Sequence, residues 1–205
     1  MAATRFLTPK FRGSYVTVFK PRRVGDDGEE KYGITIVLPK DSKDSKAFIA
    51  KLESEFRKAM TDKFGKPLPF DKCKHYPIRD GDEYTDNDGN ARPEFEGAWI
   101  IPAKSTAQPG IMVKDSDGTK RAPESEREIY SGAWYYASVS VYAWSNPKGG
   151  KGVSVSLSGI LKVADDDAFG GSRFTENEFD EVPEDGDDSA PKGKRRPSDN
   201  DEAPL

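Results

Sequence analysis

Ala133-Trp-Tyr-Tyr-Ala-Ser-Val-Ser-Val-Tyr-Ala-Trp144 sorts by alternation into two faces. Trp134, Tyr136, Ser138, Ser140, Tyr142 and Trp144 fall on one, and Ala133, Tyr135, Ala137, Val139, Val141 and Ala143 on the other. Across the turn Ser145-Asn-Pro-Lys-Gly-Gly-Lys-Gly152 comes a second alternating run. There Val153, Val155, Leu157, Leu161 and Val163 share a face, opposite Ser154, Ser156, Ser158 and Lys162. Successive side chains of a pleated strand point to opposite sides, so these two runs predict a hairpin whose aliphatic face builds a core. The face left over, of aromatics, serines and a few lysines, is an odd surface to leave in water. About half of its aromatics are expected in a second core layer beneath a helix or long loop, because each can bury a large area.

Working outward, Tyr15-Val-Thr-Val-Phe19 is rich in β-branched and aromatic residues and predicts another strand. Turn chemistry at Gly25-Asp-Asp-Gly28 leads to Lys31-Tyr-Gly-Ile-Thr-Ile-Val-Leu38, with Tyr32, Ile34, Ile36 and Leu38 on one face. These two make a second hairpin. The period then changes. Phe48, Leu52, Phe56, Met60 and Phe64, with Ile49 and Ala59, form an apolar stripe at helical spacing over residues 44–64. Asp44 or Ser45 is the expected cap, and Gly65 followed by Pro67 the stop. Shorter strand candidates lie near residues 75–79, 97–102 and 110–114. Residues 80–94 and 104–128 read as long polar excursions, which are usually functional or mobile rather than core.

Charge divides the chain. Residues 1–163 carry 27 bases and 22 acids, whereas residues 165–205 carry fourteen acids and five bases. The overall charge of −4 thus hides a body of +5 and a tail of −9. A basic body attracts polyanions, and an acidic tail can occupy the same surface when no polyanion is present. The composition of the tail is that of a disordered segment, with Phe169, Phe174 and Phe179 as anchors for its first part.

Other chemistries are poorly supplied. No run of 18 apolar residues predicts a membrane span, and the N-terminal residues lack the apolar centre of a signal peptide. The single cysteine, Cys73, forms no internal disulfide and fits a reducing interior. With one cysteine and one histidine, His75, there is no conventional zinc cluster. Lys148-Gly-Gly-Lys-Gly152 fails as a phosphate loop, because Gly152 stands where Ser or Thr is needed and Ser145 where a glycine is needed. Asp86-Asn-Asp88-Gly89 and Asp115-Ser-Asp117-Gly118 lack a complete calcium-ligand register and read as turns held by their own side chains.

A strand of exposed aromatics suits single-stranded nucleic acid, since every base has a π-face and each stack is worth roughly 1–3 kcal/mol. The stacking candidates are Trp134, Tyr136, Tyr142 and Trp144, together with Tyr32 and Trp99. The phosphate candidates are Arg12, Lys20, Arg22, Arg23, Lys31, Lys148 and Lys151. Six of the chain's bases, and no acid, lie in the first 24 residues.

Phe11-Arg-Gly-Ser-Tyr-Val-Thr-Val-Phe19, Lys31-Tyr-Gly-Ile-Thr-Ile-Val-Leu-Pro39 and Gly132-Ala-Trp-Tyr-Tyr-Ala-Ser-Val-Ser-Val-Tyr-Ala-Trp144 resemble a phage family of single-stranded DNA-binding proteins. With the partner strand and the acidic end, the likeness runs over most of residues 5–163. It implies a mainly β fold, the five-stranded OB barrel whose open face binds oligonucleotides. The helix follows the second strand rather than the third, so it is expected as an insertion. Residues 1–163 are then the binding domain and 164–205 an acidic tail. The tail is expected to contact replication or recombination partners through Asp199, Asp201, Glu202, Pro204 and Leu205, although Lys192, Lys194, Arg195 and Arg196 interrupt it. The resemblance further implies no catalysis and no cofactor, a monomer or homodimer, and a place in phage replication, recombination or repair. The compartment is the cytoplasm of an infected bacterial host, and RNA is a variant ligand. Two other readings stay open: a phage assembly protein using the aromatic face as a subunit interface, and a carboxylate-metal nuclease.

Overall fold

The computed structural model describes residues 4–23, 28–85, 89–147 and 150–170. The chain divides into two units, Met1–Ser172 and Arg173–Leu205, and the described residues all belong to the first. Its strands are β1 (Phe6–Leu7), β2 (Phe11–Arg23), β3 (Glu30–Pro39), β4 (Arg79–Asp80), β5 (Ala98–Ser105), β6 (Gly110–Lys114), β7 (Lys120–Arg121), β8 (Trp134–Asn146) and β9 (Gly150–Ala164). One helix, α1 (Lys43–Phe64), lies between β3 and β4.

Five strands close on themselves. β2 pairs with β3, β3 with β5 and β8 with both β9 and β2, all antiparallel; β5 joins β9 in parallel. This is the barrel the resemblance implies, with its helix inserted after the second barrel strand. β6 continues the line of β5 along β9, and β1 lies beside β8 beyond the end of its pairing with β2.

The interior is filled by the predicted alternating positions: Ile34, Ile36 and Leu38, then Tyr135, Ala137, Val139 and Val141, then Val153, Val155 and Leu157. Phe48, Leu52, Phe56 and Met60 of α1 join the same core, as their helical spacing requires. Ser42, rather than Asp44 or Ser45, caps α1 by accepting a hydrogen bond from the Ser45 amide, because it is the residue immediately before the first helical one. Gly65 ends the helix in the left-handed region, at φ 79°.

The last strand departs from simple alternation. Ser138 pairs with Gly159 but Val139 with Leu157, so β9 carries an extra residue at Ser158. A bulge of one residue exchanges the two faces beyond it. Ile160 and Lys162 therefore turn inward, whereas Leu161 and Val163, expected in the core, are only half-buried. The buried Lys162 ammonium meets Asp165 at 2.7 Å and lies over the Tyr130 ring.

A smaller cluster covers part of the outer surface. Val37, Ala98 and Ile100 face outward from β3 and β5 and are roofed by Phe95 and Tyr84 from the excursion after β4. The roof covers only one end of these strands. The second polar excursion holds β6 and β7. Its Asp115–Thr119 turn is closed by the Asp117 carboxylate accepting from the Thr119 amide at 2.8 Å. The other candidate turn, Asp86-Asn-Asp88, lies outside the described residues.

Candidate nucleic-acid interface

On β5, Ile101 and Ala103 point into the barrel, so Pro102 and Lys104 point out, beyond the edge of the Phe95 roof. The strand register then lays a row across the whole barrel. Thr17 of β2 pairs with Gly33 of β3, Gly33 with Lys104, Lys104 with Ser156 of β9, and Ser156 with Ser140 of β8. Apart from Lys104 these side chains are small; Thr17, Gly33 and Lys104 floor a shallow trough, whereas Ser140 at the far end of the row is buried. A Cβ on Gly33 would lie 3.4 Å from Lys104 Cγ, so the stem of the lysine lies across the glycine.

Two cavities of about 450 and 430 Å³ meet along this floor, sharing Lys31, Pro102 and Lys104. At one end stands Tyr15, with Tyr84, Arg22 and Arg23. β2 carries an extra residue between Ser14 and Thr17, and Tyr15 in that bulge adopts φ 47°. This left-handed conformation is costly for a bulky residue and persists where surrounding packing holds it. The packing here is Phe95, whose ring centroid is 6.2 Å from that of Tyr15, and Tyr84, whose hydroxyl is 3.4 Å from the Tyr15 hydroxyl. Partial burial, then the hydrogen bond with Tyr84, pushes the Tyr15 hydroxyl up to about 12.

At the other end are Tyr142, Trp144 and His75. The Trp144 indole donates to Ser154 Oγ at 3.0 Å and lies over Gly152, where a Cβ would come within 2.7 Å of the ring. His75, ring to ring 6.3 Å from Trp144, is itself fixed by a 2.9 Å bond between Nδ1 and the Val153 carbonyl. Trp144 therefore has a set orientation while staying half-exposed, and Tyr142 is 43% exposed.

The trough is electropositive. Among the described residues the first cavity is lined by Arg22, Arg23, Lys31 and Lys104 and by no carboxylate. Glu29 lines the second, 3.6 Å from Lys31 in an exposed pair of little strength. Burial holds the Lys104 ammonium below the usual lysine range, and the charges of Lys31 and Arg79 lower it further. Among the described residues no acid pairs with this half-buried cation, so its surroundings favour an anion.

The structure thus brings together Tyr32, Tyr142, Trp144, Lys31, Arg22 and Arg23 from the sequence candidates. It spreads the others. Lys20 lines an adjoining depression that also contains Tyr15. Lys151 places its ammonium over the Phe64 ring at 4.7 Å. Trp99 shares the inward face of β5 with Ile101, at the far end from Lys104. Tyr136 follows the outward file of β8 roughly 20 Å from Tyr142, at about 3.3 Å per residue. None of Trp134, Tyr136, Tyr142 and Trp144 is buried, so the expected second core layer is absent from this face; Tyr135, on the other side, fills the barrel instead. Lys148 and the tail residues Asp199, Asp201, Glu202, Pro204 and Leu205 lie outside the described residues.

Arg12 and Trp134 meet each other at a different place. Asp166 accepts from Arg12 and from the Trp134 indole, both at 2.8 Å, and the Asp167 carbonyl accepts from Arg12 at 2.7 Å. Phe169 covers the guanidinium, 4.6 Å from the ring centroid. The Asp167 amide, the indole and the charges of Arg12 and Lys10 hold the Asp166 carboxyl below its usual range. The first residues of the acidic segment therefore already occupy one phosphate candidate.

Sequence alone does not single out Tyr15 or Lys104. Tyr15 reads as one strand residue among five, and the strand predicted near residues 97–102 stops short of Lys104. Extending its alternation by two residues puts Lys104 in phase with Pro102.

A family model described as the single-stranded DNA-binding protein of Enterobacter phage Enc34 matches residues 4–189. The solved structure of the single-stranded DNA-binding protein from bacteriophage Enc34 in complex with ssDNA is 28% identical. It covers 81% of this chain and 89% of that chain at a TM-score of 0.65. A putative protein p50 of Acyrthosiphon pisum secondary endosymbiont phage 1 is 27% identical over 179 residues, 83% of this chain and 90% of that protein. The single-stranded DNA-binding protein gp2.5 of bacteriophage T7 is similar in fold alone. It is 18% identical, covering 90% of this chain and 98% of that chain at a TM-score of 0.52.

Proposed function

Because this chain belongs to the family of the Enterobacter phage Enc34 single-stranded DNA-binding protein, we propose that it holds single-stranded DNA in the trough across its barrel. The protein is a binding protein and not an enzyme, like the relatives it matches. The observation that carries the site is Lys104: a half-buried cation in the middle of a small-residue floor, with aromatic side chains at both ends. Bases stack on Tyr142 and Trp144 at one end and Tyr15 at the other, while Lys104, Lys31, Arg22 and Arg23 neutralise phosphates. Stacking needs unpaired bases, so duplex DNA is excluded.

The acidic segment modulates this binding. Its charge of −9 from Asp165 onward opposes the +5 of the body, and Asp166 on Arg12 supports an anchoring of its start. Its last residues, from Asp199 to Leu205, contact replication or recombination proteins in the cytoplasm of an infected host.

Tryptophan fluorescence titrated with oligo-dT, and with a duplex of equal length, tests the reading at two salt concentrations. Quenching by dT that weakens with salt, with little response to duplex, is expected. An equal response to both, or none to dT at low salt, rejects the trough. Removal of residues 171–205 is expected to tighten dT binding at low salt only, as screening removes the competition; unchanged or weaker binding rejects it.

A further inference from the structure

The trough opens at Trp144 onto a second basic surface that stacking does not use. His75 forms a bridge with Gly152 beneath the indole, and the Lys74 amide donates to the Lys151 carbonyl at 2.8 Å. Gly150 packs against the Lys74 stem, where a Cβ would lie 3.3 Å from Lys74 Cβ. Lys151 reaches from there to Phe64, the last residue of α1, with its ammonium 4.7 Å from the ring centroid. Lys63 is in the last turn of that helix and Lys66 follows its Gly65 cap. A contiguous path thus runs from Trp144 through Lys74 and Lys151 to Lys63 and Lys66.

These lysines are exposed, and among the described residues none of them pairs with a carboxylate. Residues 57–74 hold six bases and two acids, Asp62 and Asp71. Two bases at the start of this stretch do find partners, Arg57 with Glu53 and Lys58 with Glu55. Lys151 takes an aromatic face instead. Unlike the trough, this surface offers few places to stack a base, the Phe64 ring being already covered by Lys151.

We propose that this path is an electrostatic exit track, over which the sugar-phosphate backbone of the same DNA strand continues after its bases leave the trough past Trp144. The inference rests on the trough reading and extends it: bases are held in the trough, and phosphates alone on the track. The occupant is one continuous strand, because the track starts where the trough ends and matches its charge.

The test compares full-length protein with the triple variant Lys63→Gln, Lys66→Gln, Lys74→Gln, using dT oligomers of about 5 and about 16 nucleotides, near the two ends of the range for such barrels. The short oligomer fills the trough only; the long one reaches the track. Each phosphate deprived of its lysine should lower the slope of log affinity against log salt by about 0.7, so about 2 for the three lysines. The expected result is that reduced slope for the long oligomer, with affinity down roughly tenfold or more at low salt. Binding of the short oligomer should be unchanged. If the long oligomer keeps its slope and affinity while the short one binds normally, the track is refuted and the trough stands. If the short oligomer fails to bind wild-type protein yet the variant still loses long-oligomer binding, the trough is refuted and the basic surface is a site on its own.

Discussion

Replacing Lys104 by methionine keeps most of the stem that lies over Gly33 and removes only the charge. In the free protein this cation has a cost, because it is half-buried and faces Lys31 and Arg79. In the complex it gains a phosphate. A hydrogen bond to a charged group is worth about 1.5–3 kcal/mol, which corresponds to about 10- to 150-fold in affinity. An exposed lysine such as Lys20 makes a screened contact worth about 0.2–1 kcal/mol, so Lys20→Met should weaken binding only a few-fold. The two substitutions therefore differ in size although each removes one positive charge.

The direction of pH dependence follows from the same environment. A phosphate raises the lowered Lys104 pKa, so binding takes up a proton once the pH approaches that of the free-state ammonium. Wild-type affinity should be full below this pH and fall as the pH rises, beginning earlier than an ordinary lysine would allow. Stability runs the opposite way. The folded state has the lower lysine pKa, so charged Lys104 destabilises the fold at neutral pH. That cost fades as the pH rises towards the pKa of the unfolded chain. Lys104→Met should accordingly raise the melting temperature while weakening oligo-dT binding, as read by differential scanning fluorimetry and fluorescence titration. A variant that binds dT as tightly as wild type, or no more weakly than Lys20→Met, would refute the placing of a phosphate on Lys104.

Two other substitutions probe the ends of the trough. Tyr15→Gly relieves a left-handed conformation worth about 1–3 kcal/mol but removes a ring, so urea unfolding should show little loss of stability while dT affinity falls by up to about 1–3 kcal/mol. Gly152→Ala places a methyl 2.7 Å from the Trp144 ring and must displace it, so quenching by dT should shrink in a protein that still folds; full quenching would show that Trp144 is not the reporter.

Much of the fold is legible because its signals are local. The hairpin of β8 and β9 announces itself by alternation and α1 by four-residue spacing, whereas the second polar excursion hides a core strand, β6, whose Val113 is buried. Alternation misleads at Ser158. A bulge adds one residue without changing composition, so the two faces of β9 exchange and Lys162 is buried where Leu161 is expected. At the site, Tyr142, Trp144, Lys31, Arg22 and Arg23 can be chosen by residue type. Their separation from Trp134 and Tyr136, on the same file of the same strand, cannot.

By itself the sequence determined the periodicities, the core residues of the helix and of the long strands as far as the bulge at Ser158, and the separation of a basic body from an acidic tail. These depend on neighbours a few residues apart and on counts of charge. Only the tertiary structure decided that Thr17, Gly33, Lys104, Ser156 and Ser140 stand in one row. It also set Tyr15 in a strained bulge at the end of that row and gave Asp166 to Arg12. Those relations depend on register between strands distant in sequence, and on closure of the barrel. Burial is what sets the lysine at the end of β5 apart from the chain's ordinary lysines.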